Sequence, residues 1–364
     1  MEQGNAATAD LDLVVPRLVA EPWYVDRVTI DGQRFAAAGW SMPVTDNEPA
    51  AGWFIVNGRR FDRLAYPLLR SDVGALFWQR ERSAQSGFDG EIDEMREAYP
   101  DGVLEFRRVI DDTPAVELGR DAWFLPDPAR HANLPDGDRR FRVIGDRDPR
   151  GFVVSGATDY HRIDRVLAAV TGRHLHAFDR VLDWGVGCGR LARHFPSAHA
   201  HAFVGCDIDR ENVAWCAANL PGTFVASRIA PPLPFERESF DVVYGISVFT
   251  HLREPMQRRW LDELARITRP GALLLMTTHG ETAIDFARLA PVDYRNTRER
   301  VAREGFVVSG TNSQLDGHAE HDGEYVNVYH SADYVRRTWG RHFDVLHVLP
   351  GYILHHDLVV MRRP

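Results

Sequence analysis

The stretch VLDWGVGCGR (181–190) constrains the fold of this chain more than any other. An apolar run, Arg180–Trp184, leads directly into glycines at 185, 187 and 189. Glycines in that spacing let a backbone turn tightly at the end of a buried strand and come close to a ligand. A helix is expected from about Gly189, and its N-terminus would add a partial positive charge at the same place. Such a turn also arises for packing alone, so its surroundings decide what it means.

Those surroundings alternate between strands and helices from about residue 151 onward. Ile163, Val166, Leu167 and Val170 recur at helical spacing up to Gly172. Strands are expected at 180–184, 202–207, 223–226, 240–246 and 272–277, with a helix opening near Asp209. A further helix carries Met256, Trp260, Leu264 and Ile267 on one face and is expected to stop at Pro270-Gly271. Two late runs, 342–349 and 357–363, read as strands joined by a Pro350-Gly351 turn and paired antiparallel at the end of the sheet. Alternation of this kind predicts a parallel sheet covered on both faces.

The second strand, in FVGCDID (203–209), ends in Asp207, where a carboxylate can accept two hydrogen bonds from a ribose 2′,3′-diol. Asp209 is better placed than Asp207 to cap the helix that follows. Dinucleotide-dependent dehydrogenases share these features, but they must accommodate a pyrophosphate. Here the turn is preceded by Asp183, which suits a cationic ligand end, and the further glycine of the dinucleotide pattern is absent.

With these pieces come PPLPFERESFDVVYGISVFTHL (231–252) and WLDELARITRPGALLLMTTHG (260–280), in the order in which class I methyltransferases carry them. The chain resembles that family. The resemblance implies an α/β fold, a Rossmann-like seven-stranded methyltransferase sheet preceded by a smaller all-β, sandwich-like domain, with S-adenosylmethionine as cofactor. It further implies that Asp183, Gly185, Gly187 and Gly189 line the methionine and ribose portion, that Asp207 binds the ribose, that Ile208 packs on adenine, and that Ile246 lies on the cofactor side. Where many relatives carry an acidic or amide residue after the third strand, this chain has Ser227-Arg228-Ile229, so adenine recognition is expected from Ser227, Arg228 or backbone atoms.

SVFTHL, RPGALLLMTTHG and HHDLVVMRR are also similar to a bacterial subgroup often encoded with sugar-polymer or secondary-metabolite enzymes. GWSMP, RSDVGALF and SGFDGEI look like a small β-module found beside glycosyltransferases and related methyltransferases. The acceptor is therefore expected to be a small molecule or glycan, methylated at a sugar or natural-product hydroxyl. N-methylation of a small molecule stays open, as do a non-methylating use of the cofactor and a non-catalytic protein that binds a glycan or partner.

Methyl transfer needs alignment above all, and a base where the nucleophile is a hydroxyl. Candidates are His251 and His279, which follow the fourth and fifth strands, His330 in the long insertion, and the pair His356 and Asp357 before the last strand. Ligands sit at strand C-terminal edges in such sheets, which favours His251 and His279, and imidazole titrates near neutrality. The insertion 281–341 is long for a connection and is read as a lid or substrate wall that uses Tyr325, Tyr329 and His330. Asp316, His318, His321 and Asp322 read as solvated loop polarity, and no metal is expected there or elsewhere.

Ahead of this unit, 1–22 reads as an extension, 23–125 as a β-rich accessory domain and 126–150, rich in proline, glycine and charge, as a linker, with the methyltransferase domain over 151–364. Asp31-Gly32 and Asn57-Gly58 mark hairpins, and LLRSDVGALF (68–77), SGFDGEI (86–92) and LEFRRV (104–109) read as further strands. A net charge of -9 speaks against a nucleic-acid partner. The absence of a long apolar run or a leader pattern points to a cytoplasmic protein without a membrane partner. Cys188, Cys206 and Cys216 read as reduced structural thiols, and a homodimer stays open.

Overall fold

A computed structural model describes residues 23–42, 54–108, 122–130, 133–311 and 325–364. The first half is built from β1 (Trp23–Asp31), β2 (Arg34–Ser41), β3 (Phe54–Val56), β4 (Arg59–Arg60), β5 (Arg63–Leu69), β6 (Gln85–Ile92), β7 (Val103–Arg108) and β8 (Ala122–Pro126). They form two four-stranded antiparallel sheets, ordered β1-β2-β6-β5 and β4-β3-β7-β8. Alternate residues of β2, β3 and β7 are buried, and the apolar faces meet over Trp23, Phe35, Phe54, Phe88, Leu104 and Phe106. Asn57 and Gly58 turn the β3–β4 hairpin with φ of 50° and 79°, the left-handed conformation that favours Asn-Gly there.

One expected strand in this half is a helix. Within 68–77 only the start continues β5, and Ser71–Leu76 forms α1. Val73 and Phe77 are both buried while Ala75 between them, which a strand would place on the same face, is exposed. Arg70 bonds both Asp72, in the helix's first turn, and Asp26 on β1.

The segment read as a linker is also structured. It holds α2 (Gly137–Ile144), capped by Asp136, and the first residues of α3 (Pro149–Thr171), capped by Asp148 and closed by Gly172. Pro149 stands at the first helical position, where its lack of an N–H costs nothing. From α3, Arg162 reaches the Ala122 carbonyl and Arg165 pairs with Glu105, so this helix fastens the β-sheets to the second half.

The second half holds β9 (Val181–Trp184), β10 (Phe203–Asp207), α4 (Arg210–Asn219), β11 (Thr223–Ala226), β12 (Phe240–Gly245), α5 (Glu254–Ile267) and β13 (Thr268–Thr278). Then come α6 (Glu281–Phe286), α7 (Pro291–Glu304), β14 (Phe306–Thr311), β15 (Val326–His330), α8 (Ala332–Trp339), β16 (Asp344–Ile353) and β17 (His356–Arg362). Seven strands form one sheet in the order β11-β10-β9-β12-β13-β17-β16. The first five run parallel and β17 is antiparallel to both neighbours. Strands buried on both faces explain the near-continuous apolar runs. One face packs on α3 through Ile163, Val166 and Leu167, the other on α5 and α8 through Trp260, Leu264 and Trp339.

Three local expectations give way to geometry. No α-helix starts at Gly189: Gly185, Gly187 and Gly189 all hold positive φ, and only a 3-10 turn, Ala192–His194, forms before Pro196. α5 ends at Ile267, short of Pro270-Gly271, because β13 begins at Thr268. The last hairpin turns at Leu354-His355, where Leu354 takes φ of 55° and Ile353 pairs with His356, while Pro350-Gly351 lies in an irregularity within β16. The insertion, in turn, is mostly regular: α6, α7, the β14–β15 ribbon and α8.

Candidate functional site

Strand order reverses between β9 and β12, leaving a crevice at their C-terminal ends beside β10, the place where open parallel sheets bind ligands. Gly185, Gly187, Asp207, Ile208, Ser227, Ile246, Ser247, His251 and Tyr325 all line it. The glycines are required twice over. Gly185 and Gly187 have φ of 84° and 53°, and a Cβ on them would stand 2.5 Å from Val248 Cγ2 and 2.8 Å from Val143 Cγ2. Gly189 instead packs into Leu220 and Cys216 behind the turn, away from the crevice.

Asp207 holds the turn in place. Its Oδ2 accepts from Gly187 N at 2.7 Å and its Oδ1 from Asp209 N at 2.8 Å. Burial nevertheless raises its pKa to about 6, because the two backbone bonds do not fully replace water. A diol donating to this carboxylate would supply what hydration no longer does. Asp209 caps α4 through Glu211 N and Asn212 N, as its position suggested.

Asp183 occupies a deeper level. It is 4% exposed, its Oδ2 accepts from Tyr244 Oη at 3.0 Å, and burial pushes its pKa up to about 7 despite that bond and the charge of Arg190. It underlies the glycine turn and is not on the crevice wall. Arg228 is exposed and is not part of the crevice lining, while Ser227 lines it and its N–H bonds the Asp207 carbonyl at 2.8 Å.

Part of the wall beside Asp207 comes from α2, through Arg142 and Val143. Arg142 reaches Asp209 in an ion pair of 2.8 Å, both side chains being largely buried, and Val143 packs on Gly187. Sequence reasoning overlooked these residues because Pro, Gly and charge dominate 126–150. The signal was present in Asp136, followed by an amphipathic turn and closed by Gly145.

At the other end, Ser247 takes φ of 62° and is pinned by its N–H to Thr277 Oγ1 at 2.7 Å. His251 follows on a short turn, 6% exposed. Its Nδ1–H donates to the Val326 carbonyl at 3.0 Å, so Nε2 keeps its lone pair, which accepts from Ser247 Oγ at 3.2 Å. Burial lowers its pKa to about 4. Tyr325 stacks on the ring at 4.1 Å between centroids, and burial pushes its phenol upward.

Beyond His251 the side chains form a bank of imidazoles. Ring centroids lie 6.1 Å apart for His251 and His279, 4.7 Å for His279 and His356, and 4.3 Å for His355 and His356. His279 donates Nδ1–H to the Val328 carbonyl at 3.2 Å. Burial, and then the neighbouring histidines, hold His279 and His356 well below the usual imidazole range. Asp357 faces elsewhere. Its Oδ1 accepts from Gly351 N at 2.9 Å, its carboxylate fills the space where Gly280 has no Cβ, and burial raises it to about 7.

Two of the three residues expected on the substrate wall are interior. His330 is 1% exposed, contacts Gln257 through Nε2, and packs among Phe306, Tyr334 and Trp339. Tyr329 sits in a small core with Ile284, Val301 and Val307, its ring tilted against His279 at 5.7 Å between centroids. The period-2 alternation of β15 sends these side chains to opposite faces of the ribbon, both of them covered. Asp316, His318, His321 and Asp322 lie outside the described residues. Among those described, no helix is long and apolar enough to cross a membrane.

Residues 181–271 match a protein family described as a methyltransferase domain. A phthiotriol/phenolphthiotriol dimycocerosates methyltransferase of Mycobacterium ulcerans (strain Agy99) is 38% identical over 101 residues, 27% of this chain and 36% of that protein. A tRNA (carboxymethyluridine(34)-5-O)-methyltransferase of Arabidopsis thaliana is 32% identical over 98 residues, 27% of this chain and 23% of that protein. The chain thus spans well under half the length of these curated relatives. Among solved structures, magnesium protoporphyrin IX methyltransferase of Synechocystis PCC 6803 aligns with a TM-score of 0.40 at 16% identity, over 62% of this chain and 94% of that one.

Proposed function

Because the chain carries a class I, Rossmann-like methyltransferase domain whose cofactor is S-adenosylmethionine, we propose that it transfers the methyl group of that cofactor to a hydroxyl of a small acceptor. The observation that carries this reading is the pairing, on one crevice, of Asp207 at the ribose end with the unprotonated Nε2 of His251 at the other. Asp207 accepts from the ribose diol, Ile208 covers one adenine face, Ser227 lies at the adenine edge, and Gly185 and Gly187 give the methionyl portion room. Asp183 acts from beneath, fixing the turn through Tyr244. The unit that binds cofactor begins at α2, ahead of residue 151, because Arg142 and Val143 complete the wall.

The sulfonium is a good leaving group, so the residues have to aim the acceptor and take one proton. We assign that proton to His251 Nε2. As acceptor oxygen and methyl carbon bond, the carbon–sulfur bond breaks, its electron pair stays on sulfur, and the hydroxyl proton passes to the imidazole. Tyr325 holds the ring flat and dry. Asp357, turned into Gly280 and Gly351, is a positioning residue.

For the body of the acceptor we assign a cleft between the β-sheets and the last hairpin, lined by Trp23, Tyr24, Trp40, Trp123, Arg162, Phe286, Leu354 and His355. Aromatic walls with one cation suit a sugar or another ring that presents both an apolar face and hydroxyls. His355 connects this cleft to the imidazole bank.

Titration calorimetry with S-adenosylmethionine, followed by turnover with sugar and natural-product acceptors, tests the reading. The expected result is saturable binding, release of S-adenosylhomocysteine and a product heavier by one CH2. No binding at millimolar cofactor would remove the enzyme reading, and binding with a product lacking the added CH2 would remove methyl transfer.

A further inference from the structure

His279, His355 and His356 bring one potential ligand atom each to within 4.8 Å of one another. His279 stands at the end of β13, whereas His355 and His356 belong to the turn and first residue of the last hairpin, so the site is created by the β13–β17 pairing. We propose that these three imidazoles bind a divalent transition-metal ion of the zinc or cobalt type, on the acceptor side of the cofactor crevice. The proposal deepens the methyltransferase reading and rests on it only for what the ion does, not for whether it binds.

The distances allow it. An ion equidistant from three atoms at the 4.8 Å limit lies about 2.8 Å from each, the spacing divided by √3. Imidazole–zinc bonds are about 2.0–2.1 Å, so inward movements under about 1 Å close the site. Imidazole nitrogen is the ligand that zinc, cobalt and nickel accept, and three histidines leave at least one position open.

The protonation state agrees. His279 donates Nδ1–H to the Val328 carbonyl, which leaves Nε2 with its lone pair and fixes the ring by the outer bond that metal-bound histidines usually make. His356 is 8% exposed and its Nδ1 finds no hydrogen-bond partner, an orphan that a packed interior seldom keeps. Asp159, fully buried and paired with Arg190 through one oxygen, acts electrostatically on His355 and leaves its other oxygen without a partner.

An ion held by these three histidines would have an open position for the acceptor hydroxyl and would make it more acidic, so that its proton could pass to His251 Nε2 as the oxygen attacks the methyl carbon and the carbon–sulfur pair leaves on sulfur.

The test is a titration of the chelator-treated full-length chain with Co2+, read by its visible d–d absorption, alongside S-adenosylhomocysteine binding on the same sample. Expected are one Co2+ per chain with four- or five-coordinate bands, displacement by Zn2+, and a loss of affinity greater than about 100-fold in His355→Ala and His279→Ala. His355 is only partly buried, so its variant keeps the test informative if His279→Ala fails to fold. No Co2+ bands at micromolar protein, or equal Co2+ affinity in wild type and His355→Ala, would overturn the site. Loss of S-adenosylhomocysteine binding with Co2+ binding intact would overturn the methyltransferase reading instead.

Discussion

Removing the Asp207 carboxylate separates cofactor binding from everything else in this chain. In Asp207→Ala the ribose diol loses one or two hydrogen bonds to a charged acceptor, each worth about 1.5–3 kcal/mol. The dissociation constant of S-adenosylhomocysteine should therefore rise between roughly 10-fold and roughly 10,000-fold. Gly187 N and Asp209 N also lose their partner, but Asp207 is only partly buried and water can replace it, so the fold should persist. The same carboxylate predicts a pH dependence. Its pKa stands at about 6 in the unliganded protein, and the diol requires the charged form. Wild-type affinity should be level above that value and fall by up to about tenfold per pH unit below it, while Asp207→Ala shows no such fall. Titration calorimetry between about pH 7.5 and 5 reads both, with circular dichroism to verify folding. A folded Asp207→Ala that binds within about twofold of wild type, or a wild-type affinity level down to pH 5, would refute the assignment.

Other outcomes follow from the same geometry. His251→Ala should lower kcat by about 100-fold or more, the usual worth of a positioned base, with cofactor affinity kept, as single-turnover kinetics would show. Since burial holds His251 at about 4, the rate should show no acid limb near pH 6.5, and a limb centred there would move the base elsewhere. Arg142→Met strands the buried Asp209 and should cost about 3 kcal/mol in urea unfolding as well as weaken the cofactor. His330 is depressed to about 3 from 6.5, so the folded chain binds fewer protons than the unfolded one and loses stability as pH falls below 6.5. That loss is about 2 kcal/mol at pH 5, and acid unfolding of His330→Gln should be shallower by that amount.

The sheet was legible because strands buried on both faces write themselves as continuous apolar runs, and glycines mark where they end. Asp207 and the Gly185–Gly187 turn were legible for the same reason: each side chain, or its absence, is dictated within a few residues. The rest depends on distant pairings. α2 hides in a polar, Pro- and Gly-rich stretch, because a helix that contributes Arg142 and Val143 to a wall needs few apolar residues. His355 was not singled out, since a turn at Leu354-His355 instead of Pro350-Gly351 follows only from the register of β16 on β17. Tyr329 and His330 looked available because period-2 alternation cannot tell a ribbon covered on both faces from one with a wet face. A different register, that of β17 on β13 and β16, brings His279, His355 and His356 together.

We propose that the crevice where the strand order reverses holds S-adenosylmethionine with its sulfur toward His251. A crystal structure with S-adenosylhomocysteine tests it most directly. Ribose hydroxyls should lie within hydrogen-bond distance of Asp207, adenine against Ile208 near Ser227, and sulfur facing Ser247 and His251. Density for the ligand at another surface, or none in the crevice at saturating ligand, would contradict it.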